Sequence, residues 1–328
     1  MNNTAVLIFS CPDKKGIVAS VSKVLFDSGA NIIESNQHSA KSLLPHFFMR
    51  IVFELDADNN NADINVSNNA DSEVYNADIN VSNNNRANNC NNKNYSGNSK
   101  NLNKSIRAIK FKMDEIASEF DFNFKISDIS VKKNAAVFVS KEDHCLNELL
   151  WQKNAGDILL DIRCIISNHA NLSAIANFYE IPFIYVPSNI DKDKQEEIIL
   201  EKLKNFNIDF IILAKYMRIL SENFINSFGK KIINIHHSFL PSFPGAKPYE
   251  QAYEKGVKII GATAHFVNEK LDDGPIIEQD VIRINHEDNP DDLKRKGKII
   301  ERLVLAKAVK LFIEDRIIEY GNKTIVFD

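Results

Sequence analysis

Residues 234 to 245 read Asn-Ile-His-His-Ser-Phe-Leu-Pro-Ser-Phe-Pro-Gly, which sets an amide and neighbouring imidazoles at the end of an apolar run. Further on come His265 and then Leu271-Asp272-Asp273-Gly274-Pro275, which add an imidazole and carboxylates on a segment that Gly and Pro make into a tight loop. In a strand, positions i and i+2 share a face, so Asn234 and His236 project to one side. An amide that donates to a developing oxyanion, an imidazole that moves a proton and a carboxylate that serves as base suit an acyl transfer at an amide nitrogen. Such chemistry needs no Ser or Cys nucleophile. Asn and His also cap loops at strand ends, and residue type alone leaves both readings open.

The elements that must position these groups follow from hydrophobic pattern. From Ala135 onward, apolar runs at 135–140, 161–167, 182–186, 209–214 and 231–235 have the character of strands buried on both faces. Helical stretches are predicted between them at about 144–153, 171–179, 191–206 and 217–227, from the same periodicity. Alternation of this kind specifies an α/β domain with a doubly wound, mostly parallel sheet, whose ligands bind beyond the C-terminal strand ends. Chemistry is therefore expected after Ala214 and after Ile235. Segments 259–266 and 276–284 extend the sheet, and 293–314 is a long amphipathic helix.

The first part of the chain is organised differently. A strand at 5–9, a helix whose apolar face is Ile17, Val18, Val21, Val24 and Leu25, and strands at 31–34 and 47–55 give the order βαββ. A second helix carries Ile106, Ile109, Met113, Ile116 and Ala117 on one face, and 123–129 alternates as a strand. Together they make a ferredoxin-like βαββαβ unit. Between its third strand and second helix, residues 59–103 contain 19 Asn in 45 positions, and the nonapeptide Asn-Ala-Asp-Ile-Asn-Val-Ser-Asn-Asn occurs at 61–69 and again at 76–84. Two copies with only Ile and Val to bury cannot stack as a solenoid, so the stretch reads as a disordered insertion at about 56–105. The domain division expected is 1–132 and 133–328.

Composition removes several function classes. Forty Lys and Arg stand against 44 Asp and Glu, a formal charge of −4 that offers no basic excess for nucleic acid. No run of apolar residues is long enough to span a membrane, and the first residues lack a signal-peptide pattern, which leads us to expect a cytoplasmic protein. Cys11, Cys90, Cys145 and Cys164 are scattered without a CxxC pair, so neither a zinc site nor a disulfide framework is expected. GxGxxG, P-loop, HExxH and GxSxG patterns are absent, and no metal or redox cofactor is called for.

Asn-Ile-His-His-Ser-Phe-Leu-Pro, with His-Phe-Val-Asn-Glu-Lys-Leu-Asp-Asp-Gly-Pro-Ile-Ile at 265–277, resembles the formyltetrahydrofolate-dependent transformylase family. Cys-Pro-Asp-Lys-Lys-Gly-Ile-Val-Ala at 11–19, Phe-Phe-Met-Arg at 47–50, Ala-Lys-Tyr-Met-Arg-Ile-Leu at 214–220, the run from Pro248 to His265 and Tyr-Gly-Asn-Lys-Thr at 320–324 are similar, more narrowly, to its deformylase branch. The likeness covers nearly all the chain except 56–105.

The resemblance implies hydrolysis of 10-formyltetrahydrofolate to formate and tetrahydrofolate, with the formate serving purine synthesis and one-carbon balance. It implies Asn234 as oxyanion donor, His236 as the group that stabilises that charge or protonates N10, and Asp272 as orienter and proton acceptor. Leu-Asp-x-Gly-Pro spacing selects Asp272 over Asp273. Met217, Arg218, Ile219 and Leu220, with His265, would line the folate pocket, although apolar residues at a helix start also serve as core. Nucleotide-specific transformylases carry a Gly-Ser-rich phosphate turn after the domain's first strand. Here that place reads Val139-Ser140-Lys141-Glu142-Asp143-His144-Cys145, without glycine, which favours water as acceptor. His144, His237, Asn168 and His169 have no assigned role. The first unit resembles an ACT domain, which implies pairing into a homo-oligomer and a small amino-acid effector, glycine or methionine, near Asp13 and Gly16. The rivals are a formyltransferase with a nucleotide or tRNA acceptor and an inactive amino-acid sensor.

Overall fold

The computed structural model describes residues 3–40, 45–55, 96–241 and 248–328. Its first unit runs β1 (Thr4–Pro12), α1 (Ile17–Phe26), β2 (Ala30–Ala40), β3 (His46–Leu55), α2 (Ser96–Phe120) and β4 (Asn123–Asp128), with an antiparallel sheet in the order β2-β3-β1-β4. Ala5, Leu7, Phe9 and Cys11 of β1 turn one face onto Ile17, Val21 and Leu25 of α1 and Ile109 and Met113 of α2. Residues 96–105 belong to α2, a correction to the expected extent of the insertion. Leu102, four residues before Ile106, continues the apolar stripe into that first part of the helix. The surrounding Asn, a poor helix former, hid the pattern in the sequence. The repeated nonapeptides and the disorder expected of them lie outside the described residues.

The second unit runs β5 (Lys133–Val139), α3 (His144–Ala155), β6 (Leu160–Ser167), α4 (Ser173–Phe178), β7 (Phe183–Tyr185), α5 (Lys192–Lys204), β8 (Phe210–Leu213), α6 (Glu222–Phe228), β9 (Ile232–His236), α7 (Pro248–Glu254), β10 (Ile259–Phe266), β11 (Ile276–Arg283) and α8 (Pro290–Ile313). Its sheet has the order β11-β10-β9-β8-β5-β6-β7. Strands β5 to β9 pair in parallel, whereas β10 runs antiparallel to both β9 and β11. Both faces are covered by separate apolar clusters, which is why the central strands are apolar throughout. The order reverses between β5 and β8, which opens the crevice where this architecture receives ligands.

Two features depart from the sequence reading. Residues 217–221 are not helical; α6 begins only after Ser221, whose side chain accepts from the Phe224 N–H as N-cap. A hairpin of β12 (Ile317–Tyr320) and β13 (Lys323–Val326), together with α7, was not anticipated. This hairpin and the end of α8 lie against the second face of the first unit's sheet, where Val6, Phe48, Arg50 and Val52 are buried. Phe48 meets Tyr320 edge-on at 5.1 Å.

Arg50 is the polar centre of that contact. Its guanidinium donates to the Asp315 carbonyl at 3.1 Å, to the Glu314 carbonyl at 3.2 Å and to the Glu34 carboxylate at 3.0 Å. Lys125 and Lys133 bind the Asp315 side chain at 2.6 and 3.0 Å and hold its carboxyl below the usual range although burial opposes ionisation. The C-terminal carbonyls of α8 thus receive cations, as the helix dipole favours. Arg50→Met is expected to lower unfolding free energy by about 3 kcal/mol, because the Asp315 and Glu314 carbonyls then lose their guanidinium donor. Denaturant titration at pH 7 measures it, and a change below the experimental error would contradict this account.

Candidate active site

Strand β9 carries Asn234 and His236 on one face, as the alternation predicts, and β10 runs beside it with His265 directly opposite Asn234. The Asn234 amide nitrogen lies 3.1 Å from His265 Nε2, and His265 Nδ1 lies 2.9 Å from the Phe266 carbonyl. A carbonyl only accepts, so His265 carries its proton on Nδ1 and Nε2 accepts from Asn234. One amide hydrogen of Asn234 is committed and its second remains. Asp272 lies on the loop between β10 and β11, with one carboxylate oxygen 3.2 Å from His236 Nδ1 and the other 3.6 Å from His265 Nε2. Hydrogen bonding from His236 holds its carboxyl well below the usual carboxylate range despite burial. The opposite nitrogen of His236, Nε2, is buried and meets no hydrogen-bond partner among the described residues.

The loop is built to make this approach. Asp272 adopts φ 54°, the left-handed region that Asp tolerates better than most residues. Two residues on, a Cβ on Gly274 would come within 1.7 Å of the Phe266 carbonyl oxygen, so only glycine fits there. Asp273 is exposed, with Lys270 4.0 Å away, and takes no part in the cluster.

The segment after β8 sits beside the trio, because Leu213 of β8 is in register with Asn234. Met217 and Ile219 are 61% and 60% exposed, which sets aside the core reading for both. Leu220 does pack into the core under the sheet, and Arg218 reaches Gln195 at 3.5 Å. Ser140 Oγ accepts from the Met217 N–H at 3.0 Å and donates to Asn168 at 2.7 Å. Glu196 receives both the N–H and the hydroxyl of Ser221. Asn168 thus acts in fixing this segment, while His169 only donates its N–H to Ser167.

The sequence reading missed Lys215, Tyr249 and Glu301, which join His144 in a second buried cluster adjoining the first. Glu301 gave a signal: it follows Gly297 by four residues and precedes Val304 and Ala308 at helical spacing, so it falls within the buried stripe of α8. Between the clusters His237 stacks on His236 at 5.2 Å between ring centroids. Burial, then the Lys215 ammonium, push its pKa down to about 4. In the first unit Asp13 and Gly16, the latter at φ 100°, line an open depression of about 750 Å³ with Ile17, Gln37, His38 and Phe47.

Residues 133–309 match the Formyl transferase family and residues 5–65 the ACT domain, so the chain joins an ACT unit to a formyltransferase-type α/β domain. The formyltetrahydrofolate deformylase of Bacillus subtilis (strain 168) is 40% identical over 323 residues, covering 98% of this chain and 93% of that protein. The crystal structure of a formyltetrahydrofolate deformylase from Pseudomonas syringae pv. tomato superposes with a TM-score of 0.79 at 35% identity, over 99% of this chain and 94% of that one. Glycinamide ribonucleotide transformylase 1 from Symbiobacterium toebii shares the second unit, with a TM-score of 0.58 at 28% identity, covering 63% of this chain and 98% of that one. The chain belongs to the formyltetrahydrofolate deformylase family. Among the described residues no helix is long and apolar enough to cross a membrane.

Asp272 titrates below its ordinary 3.8, so its hydrogen bond with His236 stabilises the fold above that pH and the contribution is lost as pH falls through the lower folded value. The melting temperature of Asp272→Asn is therefore expected to lie below wild type at pH 7, with the gap narrowing only below about pH 4. A gap that closes between pH 7 and 5 would contradict it. The His237 imidazole is expected to stay neutral through that same interval, which its NMR titration checks.

Proposed function

We propose that this protein hydrolyses 10-formyltetrahydrofolate to tetrahydrofolate and formate, with Asn234, His236 and Asp272 as its catalytic groups. The observation that carries the reading is the His236 ring, held at Nδ1 by a carboxylate and presenting a buried, unpartnered Nε2. The second amide hydrogen of Asn234 would bind the formyl oxygen as it gains charge. His236 Nε2 would take a proton from the attacking water and return it to N10 as the carbon–nitrogen bond breaks. Asp272 is too weak a base for that proton, since its paired carboxylate is held so low. Its role is to orient the ring and to balance the imidazolium, the logic of a carboxylate behind a catalytic histidine.

The exposed Met217 and Ile219, with Arg218, would meet the folate beside the trio, and His265 would act by aiming Asn234. No metal or prosthetic group enters this scheme. The depression beside Asp13 and Gly16 would hold glycine or methionine, and the first unit would pair two or more chains into a homo-oligomer. The formate would supply purine synthesis, in the cytoplasm.

Purified protein is expected to release formate from 10-formyltetrahydrofolate with no acceptor present. His236→Ala and Asp272→Asn should each lower kcat by about 10²- to 10⁴-fold, while folate binding stays within a few-fold. Wild-type turnover in either variant would sink the assignment. Formyl transfer that requires an added ribonucleotide would replace it with the transferase reading. Glycine or methionine is expected to shift the rate, and the shift should vanish in Asp13→Ala; a rate indifferent to both leaves the first unit without the proposed effector role.

A further inference from the structure

The second buried cluster takes no part in the mechanism above. Glu301, 1% exposed at mid-α8, receives His144 Nε2 at 2.7 Å, Lys215 Nζ at 3.1 Å and the Tyr249 hydroxyl at 2.5 Å. Burial alone would raise its pKa; His144, Lys215 and Tyr249 together hold it below the carboxylate range. His144, Cys145 and Glu301 bring potential ligand atoms within 4.8 Å of one another, but the Lys215 ammonium already supplies the positive charge there. Such a network is costly to bury.

Its place in the fold gives it a purpose. His144 opens the helix that follows β5, and Lys215 comes two residues after β8 ends, so the pair flank the point where strand order reverses. Glu301 bridges them across the crevice in which doubly wound sheets hold ligands. Its carboxylate lies against the first turn of the 12-residue helix α3, which would otherwise attract an anion from outside. The cluster also abuts the reacting groups, since Tyr249 faces the His237 ring at 6.3 Å and that ring stacks on His236. A protein of this fold that transforms glycinamide ribonucleotide, as the Symbiobacterium toebii enzyme's name states, must admit that ribonucleotide to the formyl carbon.

We infer that His144, Lys215, Glu301 and Tyr249 form an internal plug that fills the acceptor side of the site, so that water reaches the formyl carbon and amine acceptors do not. The inference rests on the hydrolase reading and makes these four residues determinants of its specificity. In either outcome the bond from the formyl carbon to N10 breaks and N10 gains the proton that the nucleophile loses. The new bond goes to water oxygen, giving formate, or to an amine nitrogen, giving an N-formyl amine.

Lys215 offers a clean way to open the plug. It sits at φ 64°, a conformation that glycine adopts freely, so Lys215→Gly removes the side chain without straining the backbone. His144→Ala opens the same crevice from the α3 side, and Tyr249→Phe loosens it by one hydroxyl should the others fail to fold. The experiment supplies substrate labelled with ¹³C at the formyl carbon together with glycinamide, and measures labelled formate against N-formylglycinamide. Wild type is expected to give formate alone, and folded variants should raise the transferred fraction about tenfold or more. Variants that fold and turn over with the wild-type partition overturn the plug. If wild type releases no formate without glycinamide, the hydrolase reading itself fails, and the plug with it.

Discussion

A single carboxylate with two imidazoles converging on it sets the geometry of this site. Asp272 can reach His236 and His265 only because β10 runs antiparallel to β9, placing His265 opposite Asn234, and because the following loop turns back tightly. Gly274 makes that turn possible, since any side chain would strike the Phe266 carbonyl. The left-handed backbone at Asp272 is a strain that its hydrogen bond with His236 helps to offset. The orientation of His236 follows from this arrangement, while the Phe266 carbonyl sets the tautomer of His265 and with it the free amide hydrogen of Asn234.

Helix α8 extends that constraint through the molecule. Its middle contributes Glu301 to the crevice between β5 and β8, and the Glu314 and Asp315 carbonyls just past its end are gripped by Arg50 of the ACT unit. Both attachments are buried and charged, and each fails expensively if one partner is lost. The helix therefore links the face of the ACT sheet to the acceptor side of the catalytic domain through one rigid element. Effector binding near Asp13 would have this physical route available, since β3 carries both Phe47 of the depression and Arg50 of the grip.

The two charged clusters divide the site by function. One is the trio proposed to move a proton and hold an oxyanion; the other is the network of His144, Lys215, Glu301 and Tyr249 proposed to close the acceptor side. His237 lies between them, its pKa pushed down by burial and by the Lys215 ammonium.

Much of this was legible in the residues. The shift from βαββαβ to alternating strands and helices and the shared face of Asn234 and His236 follow from periods that act locally, whereas the choice of Asp272 over its exposed neighbour came from the family resemblance. The start of α2 was hidden by Asn-rich composition, and the segment 217–221 looked helical because its apolar residues mimic a core stripe that tertiary structure leaves exposed. The gathering of Glu301, Lys215 and Tyr249 into one cluster was beyond reach for another reason. They stand far apart in the chain, and only the packing of α7 and α8 over the reversal between β5 and β8 brings them together. The sequence by itself determined the order of most strands and helices and the shared face of Asn234 and His236, because periodicity is local. Tertiary structure alone decided which charges are buried together and which side of the site is closed, because burial and pairing depend on neighbours that the chain order does not name.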